Sequence, residues 1–303
     1  MARPRSRPRP VALLLLLVPA LALAVAVAAA GCPGGNPEAP APPGAGTGAG
    51  AGADPLAGGP VKVLRLAGPP GATRAQIDES VAILNRRFAK ATIPGKAEAE
   101  PSGAIVVSLR DDAEVLRRAG TLLAAGGHLQ FLAVADEKDL PSAELANEKG
   151  RLAGLKAKGA YDGAKERFDL LPYEVDPKRS WLVHREGGVE GHYVADVSPR
   201  LDAEDGWVVD FQMNPEGQDA FSTFTKRLVK RLMAVVLDDV VKQVFTIRTE
   251  IRGTGVLFRT GGGYSKEEAQ ALAALMSSGR LPIDLSLEEE PLSLEAPEPA
   301  GGR

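Results

Sequence analysis

SKEEAQALAALMSSGRLPIDLSL, residues 265–287, is a helix with a marked start and stop, followed by a strand. Ser265 with Glu268 three places on forms a capping box, in which each side chain bonds the other's free backbone N–H. Ala269, Leu272, Ala273, Leu275 and Met276 then recur at helical spacing and define one apolar face. Gly279 stops the helix, and Leu281–Leu287 reads as the last strand.

Working back from there, strands and helices keep alternating. Leu232–Leu237 (LMAVVL) and Val244–Ile247 are apolar strands, the first buried. Asn214-Pro215-Glu216 opens a helix: Asn caps, Pro is tolerated in the first turn and Glu suits the helix dipole. Its inner face is Phe221, Phe224 and Leu228. Before it, the stretch from His192 through Val194 and Val197 pairs with Trp207–Met213 (WVVDFQM) across a turn at Leu201–Asp205. Residues 136–192 are weakly patterned: Asp136–Lys158 is one loose helix or a loop, and Tyr173–Val175 with Trp181–His184 suggests a hairpin around Asp176-Pro177-Lys178.

The earlier part repeats the theme. VKVLRL (61–66) is a strand, and Thr73 caps a helix with Ile77, Val81, Leu84 and Phe88 on one face, ended by Pro94-Gly95. Ala104–Leu109 is a strand, Asp111 caps a second helix with Val115, Leu116, Ala119, Leu122 and Leu123 inward, Gly126-Gly127 stops it, and Leu129–Val134 is a third strand. That gives β-α-β-α-β. Short strands and hairpins between the helices indicate an α+β fold of two layers, with helices on one face of mostly antiparallel sheets.

The first thirty-two of the 303 residues read as an address. MARPRSRPRP carries four Arg and no acid, and Val11–Ala30 is apolar apart from Pro19. No adjacent Arg-Arg pair occurs, which favours the general secretion route. The run closes with Ala29-Ala30-Gly31-Cys32, small residues before the only Cys of the chain. This resembles a bacterial lipobox, although Ala29 stands where Leu is usual, and it implies that Cys32 is acylated as the first residue of the mature protein. The alternative is an uncleaved anchor helix, for which 20 apolar residues suffice. Either places the remainder outside the cytoplasm. From Cys32 to Pro60, nine Gly and seven Pro among 29 residues make a tether that spans on the order of 30 Å.

Loss of residues 1–31 would move the formal charge from −3 to −7, so lipid rather than charge would hold the chain at a membrane. An acidic balance argues against nucleic acid as a partner. One Cys excludes a disulfide scaffold, and no second long apolar run occurs after residue 60.

Side chains that could carry chemistry are scattered. His128, His184 and His192 have no metal-ligand spacing and read as surface or strand-end residues. No G-x-S-x-G elbow occurs, and Gly261-Gly262-Gly263 lacks the Lys-Ser/Thr of a P-loop and reads as a turn. Asp238-Asp239 fits a hairpin end, Lys226, Arg227, Lys230 and Arg231 a solvated basic helix face, and Glu288-Glu289-Glu290 a strand end meeting solvent. No catalytic, metal or cofactor site is expected.

Several stretches together are similar to one family. ADVSPRLDAEDGWVVDFQMNPEGQDAFSTFT (195–225), KRLMAVVLDDVV (230–241) and YSKEEAQALAALMSSGRLPIDLSLEEE (264–290) resemble, in that order, parts of the large extracytoplasmic P1 domain of SecD, an accessory subunit of the bacterial protein-export translocon. VAILNRRFAKATIPG (81–95), SGAIVVSL (102–109) and AEVLRRAGTLLAAGGHLQFLAV (113–134) resemble its first half.

The resemblance implies a two-layer ferredoxin-like base built from both ends of the domain, with an α+β head inserted. It divides the folded part into first half of the base (61–136), head (137–264) and closing helix and strand of the base (265–290), flanked by the signal (1–31), the tether (32–60) and a Pro-, Glu- and Gly-rich disordered tail (291–303) read from the residues themselves. It implies a non-catalytic role, assisting translocation by contact with exported unfolded polypeptide or translocon subunits, without cofactor; the lipobox-like signal adds the expectation of a membrane-anchored lipoprotein of the periplasm or cell envelope. The family's ion-conducting spans have no counterpart after residue 60, so proton coupling is not carried over. A free-standing envelope lipoprotein reusing the fold to bind another protein or a cell-wall component is the alternative. An enzyme would need a pocket with converging titratable groups.

Overall fold

The computed structural model describes residues 56, 59–259 and 263–288. The signal, Cys32, most of the tether, Gly261, Gly262, Glu289, Glu290 and the tail 291–303 lie outside the described residues.

In chain order the elements are β1 (Val61–Ala67), α1 (Arg74–Lys90), β2 (Gly95–Ala99), β3 (Ile105–Arg110), α2 (Ala113–Ala124), β4 (Leu129–Ala133), α3 (Ser142–Ala157), β5 (Phe168–Pro172), β6 (Ser180–His184), β7 (Val189–Glu190), β8 (Val194–Asp202), β9 (Gly206–Met213), α4 (Pro215–Arg227), β10 (Leu232–Leu237), β11 (Val240–Thr246), β12 (Thr254–Leu257), α5 (Lys266–Ser278) and β13 (Ser286–Leu287).

The first sheet runs β13-β1-β3-β2, every neighbour antiparallel. Leu66 lies opposite both Ile105 of β3 and Leu287 of β13, so the two ends of the folded region share one sheet. Ile105, Val107 and Leu109 alternate inward along β3 and are fully buried, in one cluster with Ile83, Leu84 and Phe88 of α1 and Leu272 and Met276 of α5. Both capping signals are formed: Thr73 with Gln76, and Ser265 with Glu268. The second helix starts one residue later than Asp111. Asp112 is its cap and accepts from Glu114 N and Val115 N at 3.0 Å each, because the Asp111 N–H is taken by Pro60 O, continuing the edge of β1.

β4 departs from the β-α-β-α-β expectation. It pairs with β10, from Met233↔Ala133 to Leu237↔Leu129, in a second sheet ordered β11-β10-β4-β7. The place beside β3 is taken by β2, GKAEA, absent from that expectation, whose only buried residue is Ala97 and whose sequence therefore lacks an apolar strand signature. Tyr173–Val175 likewise is not a strand. The hairpin pairs Phe168–Pro172 with Ser180–His184, and Tyr173 only bridges to Val241. The polar 136–158 stretch contains α3, which rests on Leu152 alone as a fully buried side chain. In the terminal stretch, Leu281 and Ile283 are buried but only Ser286–Leu287 are paired as strand, since β1 ends at Ala67, opposite Ser286.

β10 is apolar throughout because both of its faces are covered. On one face Val235 and Met233 join Phe131, Phe211 and Phe221, the Phe131 and Phe221 rings standing edge to face at 5.0 Å. On the other, Ala234 and Val236 pack with Leu132, Val134, Leu171 and Val183 under the β5–β6 hairpin. A third sheet, β12-β9-β8, and α4 close the first of these layers.

Candidate functional site

Strand edges decide where the second and third sheets are open. β10 turns into β11 through Asp238 and Asp239, both at positive φ (50° and 60°), the two-residue turn that matches strand twist. Residues 247–253 then carry the chain to β12, which pairs with β9 and lies at the edge of its sheet. Between these two strands lies a slot of about 280 Å³. Phe211, Phe221, Met233, Val235, Phe245 and Ile247 line it, with Arg248 at its rim. Phe211 fits because β12 has Gly255 opposite it: a Cβ there would stand 2.5 Å from the ring.

A larger concavity, about 520 Å³, lies between α2, α5 and β11. Its charges satisfy one another: Lys242 to Glu174 at 2.6 Å, Arg259 to Glu268 at 2.9 Å, and Arg118 donating to Ala91 O and Gln270. Tyr264 beside them is 5% exposed, and burial with the Glu174 charge pushes its phenol up to about 12. A cleft so internally neutralised offers little to a charged ligand.

The other sequence candidates do not converge. His128 Nε2 lies 3.2 Å from Glu190. His184 Nε2 lies 3.0 Å from Asp139 but is aligned too poorly for a full hydrogen bond. His192 sits against the Tyr193 ring. Among the described residues no group of three His, Cys, Asp or Glu could hold a metal ion. Asp238 serves the fold, its carboxylate accepting from Gly127 N at 3.1 Å and His128 N at 2.8 Å. The basic group splits: Lys226, Arg227 and Lys230 are exposed, while Arg231 turns inward to Asp136 and Asp139. Glu288 pairs with Arg65. The slot itself had no site signal in the sequence. Its floor, Phe211, Phe221, Met233, Val235 and Ile247, is buried core of ordinary type, and Phe245, Val256 and the polar residues at its mouth reach solvent.

Comparison with known proteins agrees with this architecture. Residues 168–283 match the family described as SecDF, P1 head subdomain. The protein translocase subunit SecD of Borreliella burgdorferi is 27% identical over 187 residues, covering 57% of this chain and 31% of that protein. SecD of Anaeromyxobacter dehalogenans is 27% identical over 181 residues, covering 57% and 28%. The chain thus spans less than a third of the length of these relatives. A solved structure described as a membrane component SecDF that enhances protein export aligns with a TM-score of 0.53 at 22% identity, over 75% of this chain and 98% of that one. SecDF in its super-membrane-facing form aligns with a TM-score of 0.51, over 76% and 29%. The folded region is therefore an α+β domain of the SecDF P1 class. In sequence, residues 168–283 are similar to the SecDF P1 head subdomain and the chain is similar to part of the SecD subunits. Among the described residues no helix is long and apolar enough to cross a membrane.

Proposed function

We propose that this chain is a non-catalytic, extracytoplasmic SecD-like module that assists protein translocation by holding exported polypeptide in the head slot, and that acylated Cys32 anchors it to a membrane. The observation that carries this reading is the slot: open, apolar and lined by no titratable cluster. Such a surface suits transient contact with unfolded chain, for which backbone and apolar groups are the common features. The relatives named as translocase subunits support the setting. The small residues before Cys32 support the anchor.

The base is ferredoxin-like, a split βαββαβ unit of β1, α1, β2, β3, α5 and β13. The strand order β13-β1-β3-β2 supports this. The boundary with the head belongs at Gly126-Gly127 rather than at 136, because β4 pairs with β10.

A photo-crosslinking residue at Phe245 or Val256 of the whole chain, in secreting cells, is expected to capture secreted polypeptides. Recovery of neither these nor translocon subunits overturns the reading. Cys32→Ser is expected to abolish labelling by radioactive palmitate; unchanged labelling removes the anchor.

A further inference from the structure

β12 differs from the other strand edges among the described residues. Natural proteins blunt free edges with charge, proline, brevity or cover. β8, the opposite edge of the same sheet, carries Pro199 and Arg200. β2 carries a Lys96–Glu98 ion pair at 2.7 Å. β7 and β13 are two residues each, β5 carries Asp169 and Pro172, and β6 is partly covered where Ala135 N donates to Leu182 O at 2.9 Å. β11 is partly covered where Glu174 N donates to Val241 O at 3.0 Å. β12 reads Thr-Gly-Val-Leu, with no charge and no proline, and Val256 is 39% exposed.

Two concavities flank this strand and share Phe211, Thr254, Gly255 and Val256. One is the apolar slot. The other, about 490 Å³, is mixed in character and more polar than the slot, with Asp196, Ser198, Asp210 and Gln212 in its lining. A polypeptide laid along β12 would alternate its side chains between them, since strand side chains have period two.

Charge orients it. Arg248 rims the slot, and Arg252 is 86% exposed. Lys226 and Lys230 are exposed, and Lys230 N is bonded to Ile247 O in the slot wall. The acid among them, Glu250, is already held by Ser222 at 2.6 Å and faces Arg252 at 3.5 Å.

We infer that β12 receives an extended polypeptide as an added strand, one with alternating apolar and polar residues and an acidic residue at the end beside Arg248 and Arg252. This rests on the slot being a polypeptide site and adds how, and which, chain is held.

Fluorescent nonapeptides would be titrated against the full chain in lipid nanodiscs: alternating Leu/Ser with an Asp end, the same composition in blocks, the Asp end replaced by Lys, and the alternating peptide N-methylated at odd or at even residues. The alternating Asp peptide should bind best. N-methylation in one phase should weaken it on the order of tenfold, by loss of edge hydrogen bonds, and in the other phase leave it unchanged. Lys for Asp should weaken it about fivefold, and the Arg248→Glu, Arg252→Glu variant should reverse that preference. Equal binding of both N-methylated phases and the parent overturns strand addition while leaving the slot as the site. Equal binding of Asp and Lys peptides overturns the charge preference. Failure of every peptide to bind overturns both this inference and the reading on which it rests.

Discussion

Arg87 and Asp238 hold the same turn, Gly126 to His128, by its carbonyl and its amides respectively. Arg87 is fully buried and donates to Gly126 O at 2.9 Å, while Asp238 accepts from Gly127 N and His128 N. The same guanidinium caps two helix ends, donating to Leu122 O in the last turn of α2 and Ala125 O just after it, and to Gly279 O after α5. Gly127 is required beside it: its φ is +82°, and a Cβ would stand 2.3 Å from the Arg87 nitrogen. Burial pulls the guanidinium down to about 10, with Asp238 opposing, so it stays charged at neutral pH.

Arg87→Met should therefore destabilise the folded region by about 3 kcal/mol, since several buried carbonyls lose their donor together. Asp238→Ala should cost about 2 kcal/mol, from two freed amides and a non-glycine residue left at φ 50°. Because both act on one turn, urea unfolding of the double variant should show a loss smaller than the sum of the singles. Strict additivity would mean that the turn does not link them.

Gly255 and Phe211 make a second test. Phe211 has little freedom to yield to a Cβ at residue 255, with the Phe131 ring 5.4 Å and the Phe221 ring 6.3 Å away. Gly255→Ala should cost about 1–3 kcal/mol by overpacking, and Phe211→Leu in the same chain should recover part of it. A fully stable Gly255→Ala protein would show that the slot wall gives way freely.

How far the sequence carried depended on whether a residue's role was local. Caps are local, so Thr73, Asn214 and Ser265 were legible, each bonding an amide three residues on. Helix faces and the doubly buried β10 were legible for the same reason. β2 was not, because an edge strand of GKAEA needs only one inward residue and takes its register from β3. β4 was legible as a strand but its partner was not, because strand periodicity states which face is buried and nothing about the neighbour; Phe131 and Leu132 point to different clusters on the two sides of one sheet. Arg87 looked like any helix Arg, since its five acceptors lie 35 to 192 residues away. The slot was hidden for the same reason: it is defined by where two sheets end.

Asp139 should shape the acid limb of stability. Its side chain is 9% exposed, in contact with Arg231 and 3.0 Å from His184. Burial alone would push the carboxyl up; the His184 contact, the Asp136 amide and Arg231 outweigh it and hold it below the ordinary range. A depressed carboxylate stabilises the fold above its unfolded pKa, about 3.9, and loses that contribution as pH falls through the folded value. Asp139→Asn should be less stable at pH 7 by about 2 kcal/mol and show a shallower decline below pH 4. Parallel acid limbs in urea midpoints from pH 7 to 2.5 would contradict this.

Tyr264 governs the alkaline side with the opposite sign. Its phenol is neutral when protonated, and burial followed by the Glu174 charge raises the folded value to about 12 against an unfolded value of about 10. Between these values the folded state keeps a proton that the unfolded state has released, so stability falls as pH rises across that window. Two pH units correspond to about 3 kcal/mol. Tyr264→Phe has no proton to lose and should shed that decline, while keeping most of its stability at pH 8, since the ring still packs beneath Arg259 at 4.6 Å. Arg87 titrates in the same range in the other direction, but equally in both proteins, so the difference between them isolates Tyr264. The measurement is the urea midpoint of each at pH 8 and pH 11.5, with absorbance at 295 nm following the phenolates (tyrosinate absorbs there). If the two proteins lose the same stability over that interval, Tyr264 ionises freely and the cleft beside Glu174 is open to water.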